Sequence, residues 1–441
     1  MSSTTFHANT AHCFMLTTLK IWDNNGMVNF KAAPIQTWQH AKKFNHYYKR
    51  LEDKEGNNYY VSHPPLAFML NYAILKVFNM PLNQNSLQWI LIFIFISGSA
   101  MLAWMVTRLS KQSQKKHSYF VALAAMAFYI FNPVNLYAHS QHNFSEIWGQ
   151  FFLIATLASW TWYLQSDRLF VVRLLLFGST ALLAATDWMG ITLIIAMILV
   201  YFKQLKKPHI RFGIILMTIS VIITTSFVII QYSSISGFND FARALGIRFL
   251  ERSGFFGSHY TDMGYDIFNP DTWLLLLSQI NNLLYGSGYL IVLMTIACLI
   301  FGRKKCGQMD VSVQKIALWT ALIFFIAVFS ASSIHYIYTA RFTPFIALAG
   351  AAMLAKLTAT FNKPNLVIIA ATLIICAFSY LSVKVYQSNI PQPNSKQAKL
   401  DSEAQFIMEN KIDTIGFDND FDERDIIYLS YKSERNIVWS K

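Results

Sequence analysis

Acidic side chains are scarce in and beside the apolar stretches of this chain, and the few that occur there are the first candidates for chemistry. Glu146 stands in AHSQHNFSEIWGQ, Asp187 in AATDWMG, and Arg341 in HYIYTARFTPF with His335 nearby; His63 precedes a double proline in SHPPL. Ionisable groups at membrane level are costly to keep and are functional candidates by default. A carboxylate there could take a proton from an acceptor hydroxyl. An arginine could hold a phosphate through charge-assisted N–H donors. Each residue alone also reads as a helix cap or a side chain reaching for the interface. The segment FNDFARALGIRFLER, residues 238–252, reads as an amphipathic helix bearing Arg243, Arg248 and Arg252. Plain anchoring against anionic head groups and phosphate binding are both open for it.

Other chemistries find little support. His7 and His12 are spaced i, i+5 and do not share a helical face, and HExxH is missing, so no metal is expected. Asp418, Asp420 and Asp422 imitate the start of a calcium loop, but Glu423 stands where Gly is needed and Leu429 where the bidentate Glu is needed. There is no GxGxxG, P-loop or nucleophile elbow, and no cofactor is implied. Four cysteines, of which Cys298 and Cys376 lie in apolar runs, make no disulfide framework.

The elements that must position these residues follow from composition. The chain is 54% hydrophobic and 13% charged, against about 25% charged in a soluble domain. It reads as an all-α polytopic membrane protein. The net charge of +13 suggests nucleic acid only until its placement is seen. The basic residues cluster in short loops, at Arg108, Lys111, Lys115 and Lys116, at Lys203, Lys206, Lys207 and Arg211, and at Arg303, Lys304 and Lys305. That is the positive-inside pattern, so nucleic acid is not an expected partner.

About ten transmembrane helices are expected, near 88–106, 118–137, 147–164, 170–186, 188–202, 210–231, 285–301, 314–331, 343–357 and 365–384. The basic loops then place 1–87 and 385–441 on the non-cytoplasmic side, together with His63, Glu146, Asp187 and Arg341. Residues 1–87 form an outer region with juxtamembrane helices: an amphipathic helix over Thr5 to Trp22 stopped by Asp23-Asn24-Asn25-Gly26, and a second over Ala41 to Leu51. Pro64 and Pro65 stiffen the entry to an apolar run, Leu66 to Phe78, too short at about 20 Å to cross a ~30 Å hydrocarbon core. No signal precedes the outer N-terminal region, so one more helix upstream of Met1 is expected, in preference to the 66–78 helix spanning. Residues 88–384 are the membrane domain. After Pro391 and Pro393, residues 385–441 form a small external α/β appendage, with a helix over Ser402 to Asn410, strands near Thr414 to Phe417 and Asn436 to Trp439, and another element over Ile426 to Tyr431.

In this order the motifs resemble the polyprenyl-phosphate-sugar glycosyltransferases of the GT-C class, among them the bacterial lipid A aminoarabinose transferases and the protein O-mannosyltransferases. HPPL at His63 to Leu66 is similar to the Pro-Pro-Leu closing their first outer loop. SEIWGQFF at Ser145 to Phe152 resembles their Thr-Asp followed by an apolar helix, with Glu146 at the second acidic position. ATDWMGITL resembles an outer turn that often carries Lys-Gly. TARFTPFIALAGAAM resembles their late Arg-Tyr helix, placing Arg341 on the Arg. The resemblance covers roughly 57–357. It implies an inverting transfer of sugar from a polyprenyl-phosphate donor to a glycan, lipid or protein acceptor at a cell envelope, such as a bacterial inner membrane. Glu146, His63 and Asp187 become catalytic candidates, and Arg341, Arg243, Arg248 and His335 candidates for the donor phosphate. Two departures stand out. The acid that family carries just after its first helix has no counterpart in SSTTFHANTAH, and Asp187 replaces the Lys. A transporter or flippase of a lipid-linked or small polar substrate is the alternative. It would want a midplane site in paired repeats. A catalytically dead membrane scaffold is a third reading.

Overall fold

The computed structural model describes residues 3–43, 51–110, 117–166, 169–256, 265–285, 288–293, 311–360, 364–389, 395–412, 414–415 and 423–439. Helix α1 runs Ser3–Asn25 and ends where Gly26 takes a φ of 87°. Only Gly holds such an angle without strain, which is why the stop read from the sequence works. The expected amphipathic character does not hold: residues 11–19 are buried on every side. The reason lies at the far end of the chain, where a helix over Glu423–Ser433 packs on α1 and covers the face that would meet water.

No helix forms at Ala41–Lys43, and Leu51 sits in a strand; the rest of the expected 41–51 helix lies outside the described residues. Strands β1 (Leu51–Glu52) and β2 (Asn58–Tyr59) make a short antiparallel ladder, Leu51 opposite Tyr59. Asp53 ties their turn, accepting from the backbone of Glu55 and Asn57 at 2.9 Å each and from Tyr59 OH at 2.9 Å. This hairpin delivers the chain to Pro64-Pro65 and helix α2, Leu66–Val77.

Helix α3 spans Gln84–Ser110. The expected 118–137 span is two helices, α4 (Ser118–Ile130) and α5 (Pro133–Gln141), bent by 64°. Pro133 has no N–H to continue the ladder, and the Asn132 side chain caps the restart by accepting from Val134 N at 3.1 Å. Then come α6 (Ser145–Gln165), α7 (Phe170–Thr186), α8 (Met189–Tyr201), α9 (Pro208–Ser236) and α10 (Phe238–Ser253). Helix α11, Pro270–Leu284, was not expected, although Asn269-Pro270-Asp271 is a helix start: Asn269 caps Asp271 N at 2.9 Å. Most of the expected 285–301 span lies outside the described residues. Next are α12 (Ser312–Ala327), a one-and-a-half-turn α13 (Phe329–Ile334), a 3-10 stretch at Tyr336–Phe342, α14 (Thr343–Thr360) and α15 (Pro364–Asn389).

Among the described residues four helical stretches are long and apolar enough to cross a membrane, 84–110, 208–236, 336–359 and 364–388, or five with the bent α4–α5 pair. The expected ten is therefore not reached by length and composition. Helices α7, α8 and α12 are apolar but shorter than a full crossing. The protein is a multi-pass, almost wholly helical membrane protein.

The C-terminal elements are α16 (Ser395–Glu409), β3 (Thr414–Ile415), α17 (Glu423–Ser433) and β4 (Val438–Trp439), with β3 parallel to β4. They are tied to the N-terminal region by directed bonds. Asn436 Oδ1 accepts from Trp38 N at 2.7 Å, and its amide donates to Trp38 O at 2.8 Å. Trp38 Nε1 donates to Ser430 O at 3.1 Å, and Lys20 pairs with Glu434 at 2.8 Å. Asp418, Asp420 and Asp422 lie outside the described residues.

Candidate functional site

Four of the residues singled out by type converge. The His63 ring is placed by its own stiff segment: Tyr232 OH on α9 donates to Tyr60 O at 2.9 Å, and Trp188 Nε1 donates to Ser62 O at 3.0 Å. Glu146 sits in the first turn of α6, where a carboxylate is favoured by the helix N-terminus. Its Oε1 lies 3.1 Å from His63 Nε2, and its Oε2 lies 3.5 Å from Nε2 of His142, just past the end of α5. Asp187 ends α7, and its Oδ1 accepts from Met189 N at 3.1 Å and lies 4.0 Å from His63 Nδ1. Arg341 Nη2 donates to Asp187 Oδ2 at 2.5 Å.

The approach of α6 to the Asp187 turn is close. A Cβ on Gly149 would lie 2.8 Å from the Asp187 Cβ, so any side chain there would push the carboxylate away from Arg341. Arg341 is 1% exposed, its guanidinium 4.1 Å over the Phe324 ring and 4.5 Å over that of Tyr338. An arginine stripped of water needs such an ion pair and ring faces to offset its desolvation.

Of the three arginines on α10, Arg248 and Arg252, four residues apart, turn inward. Arg248 Nε donates to Ser62 Oγ at 2.9 Å and Nη1 to Glu251 at 2.8 Å. Arg252 Nη1 donates to Tyr338 OH at 2.9 Å and stands 3.4 Å from His63 Nε2. Arg243 is exposed on another face of α10, at a distance in helix turns that the 3.6-residue period explains. His335 is half-buried and stacks on Tyr338 with ring centroids 6.0 Å apart, at the rim of the cluster. Arg252 and His142 complete the constellation: phosphate contact was open for Arg252 with the rest of the 238–252 helix in the sequence, whereas His142 carried no role there. Arg252 shares the face of Arg248 by the i, i+4 rule, whereas His142 lies in the non-helical joint between α5 and α6, where no helical spacing points to it. Among the described residues no group of three or more His, Cys, Asp or Glu side chains could hold a metal ion.

Comparison with known proteins gives this arrangement a family. The family model for "GPI transamidase subunit PIG-U" matches residues 26–261, more than half of the chain and the stretch holding His63, Glu146, Asp187, Arg248 and Arg252. The chain belongs to the PIG-U family. No curated protein matches it by sequence. In fold, this PIG-U family member is similar to the oligosaccharyltransferase of Archaeoglobus fulgidus in complex with Zn and sulfate, at a TM-score of 0.56 and 14% identity. That match covers 98% of this chain, which spans 58% of the oligosaccharyltransferase's length. It is also similar to ArnT from Cupriavidus metallidurans bound to undecaprenyl phosphate, at a TM-score of 0.54 and 11% identity, covering 86% of this chain and 76% of that one. At such identities the likeness speaks for the fold. That fold is the GT-C type read from the HPPL, SEIWGQFF and TARFTPF motifs.

Proposed function

We propose that this chain is a membrane subunit of a GPI-transamidase-type assembly that holds the phosphate-bearing head group of a lipid-linked glycan, with a GT-C site kept for binding and not for sugar transfer. The observation that carries the reading is the state of the two carboxylates. Glu146 is engaged by His63 and His142, Asp187 by Arg341, and both are nearly or wholly shielded, at 7% and 0% side-chain exposure. A base for an acceptor hydroxyl must reach it within hydrogen-bond distance or through one water. Transamidation exchanges one amide for another on a protein and asks no sugar-acceptor base of this subunit. Arg341 and Arg252 would face the phosphate, where guanidinium donors bind strongly. The partners on this reading are the lipid-linked glycan, the other transamidase subunits and membrane lipids. Its membrane is the one where that transamidase works, in place of the bacterial inner membrane implied by the aminoarabinose transferases.

One observation favours a second reading. His63 Nε2 at 3.1 Å from Glu146 Oε1 could relay a proton, which would keep glycosyltransferase activity alive with Glu146 as base and Arg341 on a polyprenyl-phosphate leaving group. Two measurements separate the readings. Purified protein in nanodiscs is given a radiolabelled polyprenyl-phosphate sugar and hydroxyl acceptors. In parallel, GPI anchoring is measured in cells from which this chain has been deleted and then restored with wild type or Glu146→Gln. We expect no transfer above the protein-free control, and restored anchoring with both forms. Sugar transfer by the wild type that falls about 100-fold or more in Glu146→Gln would overturn the binding reading.

A further inference from the structure

We propose that Tyr338 is a further donor to the ligand's phosphate, its hydroxyl hydrogen and the two unbonded nitrogens of Arg341 closing on the same phosphate oxygens. The inference rests on the head-group reading above and names the residue that orients the phosphate against Arg341.

Local sequence lines these groups up. In HYIYTAR, His335, Tyr338 and Arg341 recur at every third position. The 3-10 stretch Tyr336–Phe342 turns once in about three residues, so side chains three apart eclipse one another. The Tyr338 ring therefore lies along Arg341, its centroid 4.5 Å from the guanidinium carbon, and Phe324 on α12 offers a second ring at 4.1 Å. The two rings are within 20° of parallel. Ring faces hold a guanidinium by its flat side. Its N–H groups lie in its plane and must find acceptors elsewhere. Nη2 finds Asp187. Nε and Nη1 are buried with no hydrogen bond.

The Tyr338 hydroxyl is left in a matching state. Tyr338 is 2% exposed, and its oxygen accepts from Arg252 Nη1 at 2.9 Å. Among the described residues the hydroxyl makes no other hydrogen bond. A phenol has a hydrogen to give as well as lone pairs that receive. A cation donating to the oxygen polarises the O–H bond and strengthens it as a donor. Arg252 serves here only through that bond to the phenol oxygen. One O–H and the edges of two guanidinium nitrogens thus remain unspent on adjoining side chains. Buried donors without acceptors destabilise a fold. The non-bridging oxygens of a phosphate ester supply acceptors together with the negative charge that a guanidinium favours. The proton stays on the Tyr338 oxygen, and no covalent bond changes.

The test uses the full chain in phosphatidylcholine nanodiscs. Dioctanoyl phosphatidylinositol, a phosphodiester with one negative charge, is titrated in by calorimetry at pH 7. Tyr338→Phe keeps the ring against Arg341 and removes the hydroxyl alone. The Kd is expected to weaken by about tenfold or more, the loss of one hydrogen bond to a charged group. The phosphorus NMR resonance of the bound lipid should move as well, because the phosphate loses a donor. A Kd within about twofold of wild type overturns the role of Tyr338. Weaker binding with the phosphorus resonance in place also overturns it, since a structural role alone gives that pattern. In the wild type, the infrared difference spectrum on adding the lipid should show a tyrosine C–O band shifting. No tyrosine band overturns the inference whether or not the variant folds. Inorganic phosphate at the same concentrations should not compete; equal competition overturns the lipid head group as the ligand. No binding of the lipid by the wild type overturns the head-group reading itself, whereas wild-type binding that Tyr338→Phe leaves unchanged overturns this inference alone.

Discussion

Helix α6 carries two buried polar residues one turn apart, Glu146 and Gln150, and the surroundings they meet are opposite in kind. Gln150 shares its amide N–H groups among Asn135 Oδ1 at 2.9 Å, Ala340 O at 2.7 Å and Thr343 Oγ1 at 2.6 Å. Its Oε1 faces Tyr129 OH at 3.2 Å and His139 Nε2 at 3.0 Å. The groups are uncharged, and His139 Nδ1 alone among their side-chain polar atoms lacks a partner. The Glu146 level is charged, and His63 Nδ1, His142 Nε2, Arg341 Nε and Arg341 Nη1 are buried without a hydrogen bond. A nearly saturated neutral network fixes helices α4, α5, α6 and α14 against one another. An unsaturated charged one leaves donors that a ligand can use, at a cost in stability that the lower network helps to meet.

The largest effect that sharpens this contrast is expected from Arg341→Ala. It strands Asp187, 0% exposed, without its cation, and should cost about 3–5 kcal/mol in thermal unfolding of the detergent-solubilised protein. Binding and folding are thus coupled at Arg341, so a loss of ligand affinity there must be read beside the stability change. Next comes Gln150→Leu. It orphans several buried partners and should cost about 2–4 kcal/mol, with the head-group affinity of the folded fraction unchanged. A stable Gln150→Leu that has lost lipid binding would break the division into structural and binding levels.

A smaller effect is expected with pH at His12 on α1, outside the spanning helices. Burial, and after it the neighbouring His142, push its pKa down from 6.5 to about 3, and neither ring nitrogen has a hydrogen-bond partner. The unfolded chain takes a proton below pH 6.5 and the folded chain does not. Stability from this residue is therefore full above 6.5 and lost as pH falls toward 3, by about 1.4 kcal/mol per unit. Denaturation midpoints between pH 7 and 5 should show the slope in the wild type and a shallower one in His12→Gln. The smallest effect is expected from Arg243→Ala, exposed on α10: less than about 0.5 kcal/mol and no more than about a twofold change in lipid affinity. A large loss of affinity there would return phosphate contact to the exposed face of α10.

Much of the fold was legible where one local rule decides. The α10 limits lie between Gly237 and Gly254, both at positive φ, and the stop of α1 lies at Gly26. The α4–α5 bend was equally readable at Asn132-Pro133 but was smoothed over by an apolar run on both sides. The membrane assignment rests on composition, which no packing detail can reverse. What failed were two readings that needed to know a neighbour. An amphipathic α1 assumed water on its second face, and a helix over 41–51 assumed that Leu51 had no strand to pair with.

The candidate site divides in the same way. The sequence by itself determined that His63, Glu146, Asp187 and Arg341 are too few and too costly at membrane level to be ordinary, because desolvation of a charge depends on the residue and its depth. Only the tertiary structure decided which charge meets which. Asp187 and Arg341 are 154 residues apart in the chain, and Arg252 reaches His63 across 189. Local sequence sets where a helix begins and which face is apolar. Which turns of two distant helices come within 3 Å depends on packing of the whole bundle, down to the missing side chain of Gly149 that lets α6 close on Asp187.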